Sequence, residues 1–307
     1  VLAWPVALPG AAGEQAAGAS MSLEALRQKV LANEARLSLL RLDFRCYVTA
    51  QGNDPQVADI VSRPTVDDDY SLAAFAQDGG RVHKTNATYR ERKLANSRVV
   101  VLDGEVCKEG VLPELKRGWI TRPEKFTWEN VEPIRLSMRP CERLMSDCLD
   151  PKYATVLEDH VPMAGRDTVL VNVVDRDNAS WHTRTWIDRE RGVAVRTEKS
   201  YPIADGTGGT IVMEPAKFHQ LPNGGWIPIE GVVKMHRIRD GFWMDLDSHC
   251  TVDVNSISIE KKDIPDSLFD IQFPAGADVA TEIAPAPVET KPKSQNSRPR
   301  PSRPRGR

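Results

Sequence analysis

The spacing of hydrophobic residues is helical near the start of the chain and strand-like over most of the remaining sequence. Between residues 22 and 41 the apolar side chains recur at intervals of three, four, seven and three: Leu23, Leu26, Val30, Leu37 and Leu40. This stripe predicts an amphipathic helix, for which Ser22 is a suitable N-cap. A weaker helical pattern lies between residues 140 and 149.

After the first helix, ten stretches rich in β-branched and aromatic residues alternate with turn motifs such as QDGG, DRERG and LPNGG. The pattern predicts a meander of hairpins and therefore an antiparallel sheet, because parallel strands would need helical crossovers between them. We expect a mainly antiparallel β fold with few helices, of the α+β class.

One hairpin can be predicted residue by residue. If Asp240 and Gly241 form a two-residue turn, the pairs on one face and then on the other are His236 with Asp245, Lys234 with Asp247, Met235 with Leu246, and Arg237 with Met244. One face is then charged and the other largely apolar, which is typical of a sheet that is covered on one side.

The last apolar stretch is SLFDIQFPAGADV, residues 267–279. Phe269, Ile271 and Phe273 alternate before Pro274 and Gly276, which predicts a terminal strand that stops at those two residues. We therefore expect a folded domain over residues 21–282 and a disordered tail over 283–307.

The tail differs in charge from the rest of the chain. From Glu289 to Arg307 there are seven basic residues and one acidic residue, a net charge of +6 in a chain of net charge −2. So few apolar residues cannot form a core, and we expect a Pro-stiffened arm. The arm could contact an envelope protein or an anionic surface. It lacks the aromatic residues that stack on bases, so nucleic-acid binding is not expected.

Residues 1–20 contain the stretch VLAWPVALPGAAGEQA, an apolar run followed by small residues. This composition is typical of the end of a signal peptide and favours export. The other interpretation is that translation begins at Met21.

The chain has five cysteines, so at least one must stay outside any disulfide within the chain. Cys141 and Cys148 are separated by six residues and are the candidate disulfide pair. The paired Cys/His spacing of structural zinc sites does not occur.

Four possible metal ligands share one face of a predicted strand: Asp245, Asp247, His249 and Asp253. The predicted hairpin already pairs the first two with His236 and Lys234, so a charge-paired, solvated face is the better interpretation, and no metal is expected.

The glycine-rich stretch DGTGGT, residues 205–210, is followed by a strand pattern rather than the helix of a phosphate-binding loop, and no GxSxG motif occurs. We expect neither an enzyme nor a cofactor.

The apolar face supplies the candidate ligand-binding residues. Methionine adapts to ligands of variable shape, so several methionines on one face would suit acyl chains, whereas ordinary core packing is the other interpretation. We expect the first helix and its neighbours to cover these residues: Phe44, Met213, Val233, Met235, Met244 and Leu246.

Several phrases succeed one another in a recognisable order: LRLDFRCYV, FAQDGGRVHKTNATYRERKLANSRVVVLDGEVC, TWIDRERGVAVRTEKSY, LPNGGWIPIEGVVKM and IPDSLFDIQFPAGADV. Over about residues 22–282 this series resembles the LolA/LolB-like family of periplasmic lipoprotein carriers, and in particular its divergent outer membrane lipoprotein-sorting members. The segment 110–165 and the basic tail have no clear counterpart in the core carriers.

The resemblance implies an unclosed, curved antiparallel half-barrel whose helices lie over a hydrophobic cavity for acyl chains. It also implies an exported, periplasmic or envelope-associated monomer that carries a lipid or an acylated lipoprotein without catalysis or cofactor. A non-catalytic envelope interaction module that uses the same scaffold and the tail is the alternative. An enzyme on this scaffold is the third hypothesis.

Overall fold

A computed structural model describes residues 20–55, 57, 70–126, 132–136, 138–139, 143–176, 181–204 and 207–282. Its helices are α1 (Leu23–Arg36), α2 (Glu132–Arg135) and α3 (Met145–Cys148). Short 3₁₀ turns occupy Pro123–Lys125, Lys261–Asp263 and Asp266–Phe269. None of the helices in these ranges is long and apolar enough to span a membrane.

The strands of the described ranges belong to one sheet. Their bounds are β1 (Leu39–Gly52), β2 (Tyr70–Asp78), β3 (Arg81–Arg90), β4 (Lys93–Leu102), β5 (Cys107–Val111), β6 (Arg117–Thr121), β7 (Ala154–Met163), β8 (Arg166–Val174), β9 (His182–Asp188), β10 (Ala194–Ala204), β11 (Thr207–Gln220), β12 (Trp226–Arg239), β13 (Phe242–Ser258) and β14 (Asp278–Glu282).

The sheet consists of two antiparallel meanders that share one seam. Strands β1 to β6 pair in chain order, β7 to β13 pair in chain order, and β1 pairs with β13. Strand β14 adds to β6 in parallel, which leaves β7 and β14 as the two edges. The prediction of an unclosed, curved and mainly antiparallel sheet is confirmed.

The predicted register of the β12–β13 hairpin is confirmed at each of its four pairs. Asp240 and Gly241 have φ values of 51° and 81°. A two-residue type I′ turn requires positive φ at both central positions, and Asp-Gly tolerates this conformation well. The local turn chemistry therefore fixes which side chains of the hairpin share a face.

The register also identifies one face across the whole sheet, because directly opposite residues share a face. One transverse row runs through β8, β9, β10, β11, β12, β13 and β1 as Val171, Thr185, Thr197, Met213, Val233, Ser248 and Val48. We call this the inner face, because α1 and α2 pack on it.

Helix α1 covers the inner face at β8, β9 and β10. Its residues Leu26 and Val30 belong to one buried cluster with Val169, Val171 and Ile187, which the register places on the inner face. The predicted N-cap is confirmed, since the Ala25 N–H donates to Ser22 Oγ at 3.1 Å. The helical pattern at 140–149 corresponds to α3, and residues 140–142 lie outside the described residues.

Two buried polar residues fix the last turns of α1. Asn33 Nδ2 donates to the Trp226 carbonyl at 3.1 Å, and the Trp226 N–H donates to Asn33 Oδ1 at 2.8 Å. Glu34 accepts from the Ser146 N–H at 3.1 Å and from the Ser146 hydroxyl. The helix is thus joined to the start of β12 and to α3 by directional bonds, because an unsatisfied buried polar group would be costly.

The predicted terminal strand at 267–273 is wrong. Pro265 precedes a 3₁₀ turn in which the Leu268 N–H donates to the Pro265 carbonyl at 3.0 Å, and the last strand is β14, beyond Pro274 and Gly276. Residues 261–273 instead form a C-terminal strap over the outer face of the sheet.

The strap buries its own alternating side chains on the outer face. Ile264, Phe269 and Ile271 belong to one cluster with Ala76, Val99 and Val101. Charges fix the start of the strap: Lys261 Nζ lies 2.8 Å from both Asp78 and Asp266, and Arg81 lies 2.7 Å from Asp266. Hydrogen bonds from Lys261 and Arg81 lower the pKa of Asp266 to about 2.

The predicted disulfide between Cys141 and Cys148 stays a prediction, because Cys141 lies outside the described residues. Cys148 is buried in the cluster under α1. A different pair of cysteines meets at the seam, where Cys46 of β1 is directly opposite Cys250 of β13. Both of these side chains are buried on the inner face.

Burial of Glu34 gives α1 a pH-dependent anchor. Desolvation raises the pKa of this carboxyl above its ordinary value of 4.5, and the bonds from Ser146 oppose the rise. A raised folded pKa adds stability below the unfolded pKa, and that stability is lost as pH rises through the folded pKa. We expect the unfolding free energy of the native protein, relative to Glu34→Gln, to fall between about pH 4 and pH 7. Urea unfolding of both proteins over this range measures the difference, and a constant difference would contradict the account.

Candidate functional site

A short segment covers the centre of the inner face. It comprises α2 and the turn after it, residues 132–136 and 138, and we call it the cover segment. Ile134, Leu136 and Met138 are buried in the same cluster as Phe44 and Val233 of the sheet. The Met138 N–H and the Arg139 N–H both donate to the Ile134 carbonyl, at 2.9 and 3.1 Å.

A glycine in β12 makes room for the cover segment. A Cβ atom at Gly231 would lie 2.6 Å from Cδ1 of Leu136, which is too close for two carbon atoms. Gly231 is opposite Cys250, and Cys250 is opposite Cys46. Leu136 therefore occupies the side-chain position that β12 leaves empty beside the two cysteines.

A second segment reaches the inner face from the end of β1. The N–H groups of Asn53 and Asp54 both donate to the Trp243 carbonyl at 3.1 Å, and Asp54 Oδ2 lies 3.4 Å from the Arg237 guanidinium. Met244, which is opposite Gly52, is buried at this position. The two segments thus cover the inner face from different sides.

Between these two segments the inner face is incompletely covered, and it is apolar apart from Ser248, which lies between Val48 and Val233. Val48 has 48% of its surface exposed. The next transverse row consists of four half-buried residues on β1, β13, β12 and β11. Each is opposite the one that follows it: Ala50, Leu246, Met235 and Ile211. These five residues form what we call the slot. Farther along the same strands, the row of Cys46, Cys250 and Gly231 lies under the cover segment.

One end of the slot is cationic and aromatic. Lys199 is opposite Ile211, so its side chain shares the inner face. Its Nζ lies 5.1 Å from the ring centre of Tyr201 and 5.6 Å from that of Trp181. The two rings make an edge-to-face contact with centroids 4.9 Å apart. Ammonium groups are attracted to aromatic faces at these distances, which holds Lys199 at the end of the slot.

All six ligand-binding candidates from the sequence lie on the inner face, but only two line the slot. Met235 and Leu246 are half-buried there. The other four are buried: Phe44, Met213, Val233 and Met244. The first helix and its neighbours were expected to cover them. The cover segment occupies the centre of the face, Leu37 at the end of α1 belongs to the same cluster, and the rest of α1 packs on β8 to β10. Their role in binding stays a prediction.

Sequence reasoning missed several residues of the site. Val48 extends the alternation of Leu40, Leu42, Phe44 and Cys46 along β1, so this position was readable from the period of two. Ile211 is opposite Met235 only through the register of β11 with β12. In the cover segment Ile134, Leu136 and Met138 alternate with polar residues, a period of two that is typical of a strand, whereas the segment begins with a four-residue helix.

The carboxylates of β13 lie on the outer face. His236 Nδ1 lies 2.6 Å from Asp245 Oδ1, as the register predicts. Lys234 is opposite Asp247 but forms its ion pair with Glu214 at 2.7 Å, so that part of the predicted charge pairing is wrong. Within the described ranges no three His, Cys, Asp or Glu side chains are placed to hold a metal ion.

A separate recess of about 460 Å³ lies near the end of β13. Arg41, His219, Glu260 and Asp263 contribute its charged and titratable side chains, and Arg41 donates to the Asp263 carbonyl at 3.2 Å. The recess contains no slot residue, and its charges are mixed. The slot is therefore the better candidate for an apolar ligand.

No protein-family model matches the chain, and no curated protein matches it. Solved structures similar to it include a DUF1329 family protein from Desulfovibrio piger, with 9% identity and a TM-score of 0.43 over 81% of this chain and 97% of that chain. LolA superfamily protein NE2245 from Nitrosomonas europaea has 10% identity and a TM-score of 0.44 over 82% and 99% of the two chains. The Pseudomonas aeruginosa MucA/MucB complex has 10% identity and a TM-score of 0.24 over 76% and 98%.

The second of these structures, NE2245, is named as a member of the LolA superfamily, which is the family that the sequence resembles. All three TM-scores are below 0.5 and the identities are about 10%, so the function has to be inferred from the residues of this chain.

Replacing Gly231 by alanine should disturb the cover segment. The new Cβ would meet Leu136 Cδ1 at 2.6 Å and the Glu214 carbonyl oxygen at 3.0 Å. Overpacking of this kind costs about 1–3 kcal/mol of unfolding free energy. Urea unfolding measures the loss, and hydrogen exchange should become faster in residues 132–138. Gly80→Ala is the matched control, because nothing lies within 4 Å of its Cβ position. Equal stability of the two variants would argue against this packing.

Proposed function

We propose that the protein is an exported, non-catalytic carrier that binds the acyl chain of a lipid or lipoprotein on the inner face of its half-barrel. The observation that carries this proposal is the continuity of the apolar surface. It runs from the half-exposed slot at Val48, Met235 and Leu246 to the buried residues Phe44 and Val233 under the cover segment.

The cover segment would compete with the cargo for the same surface. A four-residue helix has little intrinsic stability, so α2 depends on packing against the sheet. Burial of each methylene of an acyl chain contributes about 0.8 kcal/mol. A chain that enters at the slot can therefore replace Leu136 and Ile134 with its own methylenes and leave the apolar core covered.

The titratable groups favour binding over catalysis. Active sites tend to contain groups with strongly shifted pKa values. Among the described residues such groups lie away from the slot: burial raises the pKa of the Cys107 thiol, and burial together with Arg41 lowers the pKa of His83. The slot offers an apolar surface with Lys199 at its end, which suits an amphiphile with an anionic head.

A second function, from the sequence alternative, is an interaction module of the cell envelope that carries no lipid. One observation favours it: Ile134, Leu136 and Met138 already fill the centre of the inner face. In that case the cover segment would be a permanent part of the core, and partners would bind elsewhere.

Export and the domain limits at 21 and 282 remain proposals, and the basic tail lies outside the described residues.

Placing a charge in the slot should separate these two functions. Leu246→Asp would put a carboxylate beside Met235 and Ala50, where an acyl chain would have to leave it desolvated. We expect binding of a fluorescent fatty-acid probe to weaken at least tenfold, which corresponds to about 1.4 kcal/mol. Fluorescence titration of the full chain measures the affinity.

Leu157→Asp on β7 is the matched control, because Leu157 is an exposed apolar residue outside the slot. It should bind the probe like the native protein. If the native protein fails to bind the probe, or if both variants bind it equally well, the carrier proposal is wrong and the interaction module is favoured.

A further inference from the structure

Two cysteines face each other at the seam between the two meanders. Cys46 of β1 is directly opposite Cys250 of β13, and both side chains are buried on the inner face. The register around them is continuous over residues 43–52 of β1. On the outer face the adjacent pair, Tyr47 and His249, stacks its rings with centroids 4.6 Å apart. The two strands are therefore closely paired at the position of the cysteines.

The β12–β13 turn decides which backbone groups of β13 point toward β1. Arg239 and Phe242 flank the two-residue turn and are opposite each other, so their backbone groups bond across the hairpin. Backbone groups point to alternate sides along a strand, so those of Trp243 and of every second residue after it point toward β1. The Asn53 N–H accordingly donates to the Trp243 carbonyl at 3.1 Å.

Cys250 belongs to the other series, whose backbone groups point toward β12. Cys46 and Cys250 are therefore a non-hydrogen-bonded pair of the seam. In such pairs the Cα atoms are about 4.5 Å apart, and the side chains are closer than in hydrogen-bonded pairs. Disulfides join cysteines whose Cα atoms are about 4.4–6.8 Å apart. Both side chains are thiols in the structure, and the existing register already meets this requirement for a bond between them.

The other described cysteines, Cys107 and Cys148, lie elsewhere in the fold. Cys107 is on β5, four strands from β1, which is about 19 Å along the sheet. Cys148 belongs to the buried cluster under α1, whereas Cys46 and Cys250 belong to the central cluster. Within the described ranges, each seam cysteine is therefore the candidate partner of the other. With the predicted pair of Cys141 and Cys148, this assignment leaves Cys107 as the fifth cysteine.

We infer that Cys46 and Cys250 form a cross-strand disulfide when the chain meets a disulfide oxidant, either a small molecule or an oxidoreductase. The bond closes the seam between the two meanders covalently. This inference goes beyond the proposed function and does not depend on the cargo. Since the seam brings the apolar residues of both halves onto the inner face, the bond would hold that face together while the cover segment is displaced.

The bond forms by two thiol–disulfide exchanges. The thiolate of one cysteine attacks a sulfur atom of the oxidant's disulfide, which gives a mixed disulfide and releases one thiol. The thiolate of the other cysteine then attacks the protein sulfur of that mixed disulfide, which forms the Cys46–Cys250 bond and releases a second thiol. Two electrons pass to the oxidant, and the two protons from the cysteines end on the released thiols.

Disulfide mapping tests the assignment. The full chain is refolded in a mixture of oxidised and reduced glutathione, the remaining thiols are alkylated, and the protein is digested without reductant. We expect one pair of peptides joined through Cys46 and Cys250, lighter by two hydrogen atoms than the two reduced peptides together. Cys250→Ala should lose this linked pair. Cys107→Ala is the matched control and should keep it.

The bond should also raise the stability of the oxidised protein. In the Cys141→Ala background the predicted bond to Cys148 cannot contribute. There we expect a reductant to lower the urea midpoint by about 1 M or more, because the bond closes a loop of some two hundred residues. With Cys46→Ala added, the reductant should leave the midpoint unchanged. This comparison separates loss of the bond from loss of packing.

Two results would overturn the inference. One is the recovery of thiols at both positions after refolding with oxidised glutathione, or a link from either position to another cysteine. The other is a linked pair whose reduction does not move the midpoint, which would contradict its role in closing the seam. If the linked pair is found but the fatty-acid probe does not bind the chain, the disulfide stands and the carrier proposal fails.

Discussion

The pairing of β1 with β13 is the interaction on which the rest of the structure depends. It joins two meanders into one sheet and places Phe44 opposite Val252 and Cys46 opposite Cys250, so the apolar residues of both halves share the inner face. A slip of one residue would turn these side chains to the outer face. Because the partners are some two hundred residues apart in sequence, this seam is also the contact with the highest entropic cost of closure.

The segments that cover the two faces are held in different ways. Helix α1 is anchored by directional bonds from Asn33 and Glu34, and the C-terminal strap is anchored by the ion pairs of Lys261 and by the burial of Phe269. The cover segment is one helical turn whose apolar residues rest on a surface that is exposed beside it. Of the covering elements, it is therefore the one whose place a ligand with similar apolar chemistry can take.

Local patterns predicted the elements whose geometry is set locally. The Asp240–Gly241 turn fixed the β12–β13 register, and the leucine period of α1 fixed its buried side. Alternation at Phe269, Ile271 and Phe273 predicts a strand, but it indicates only burial on one side, which a strap and a strand share. The ion pair of Lys234 with Glu214 is a diagonal contact within the β11–β12 hairpin, and the position of the cover segment depends on contacts between distant parts of the chain. No local period encodes such contacts.

The central claim is that the cover segment and an acyl chain occupy the same surface. Hydrogen–deuterium exchange of residues 132–145, with and without saturating fatty acid, tests it directly. In the covered form the Met138 N–H donates to the Ile134 carbonyl and the Met145 N–H donates to the Met138 carbonyl. The account predicts that fatty acid accelerates exchange at these amides and leaves the amides of α1 unchanged. Slower or unchanged exchange in the cover segment, in protein that has bound the fatty acid, would contradict it.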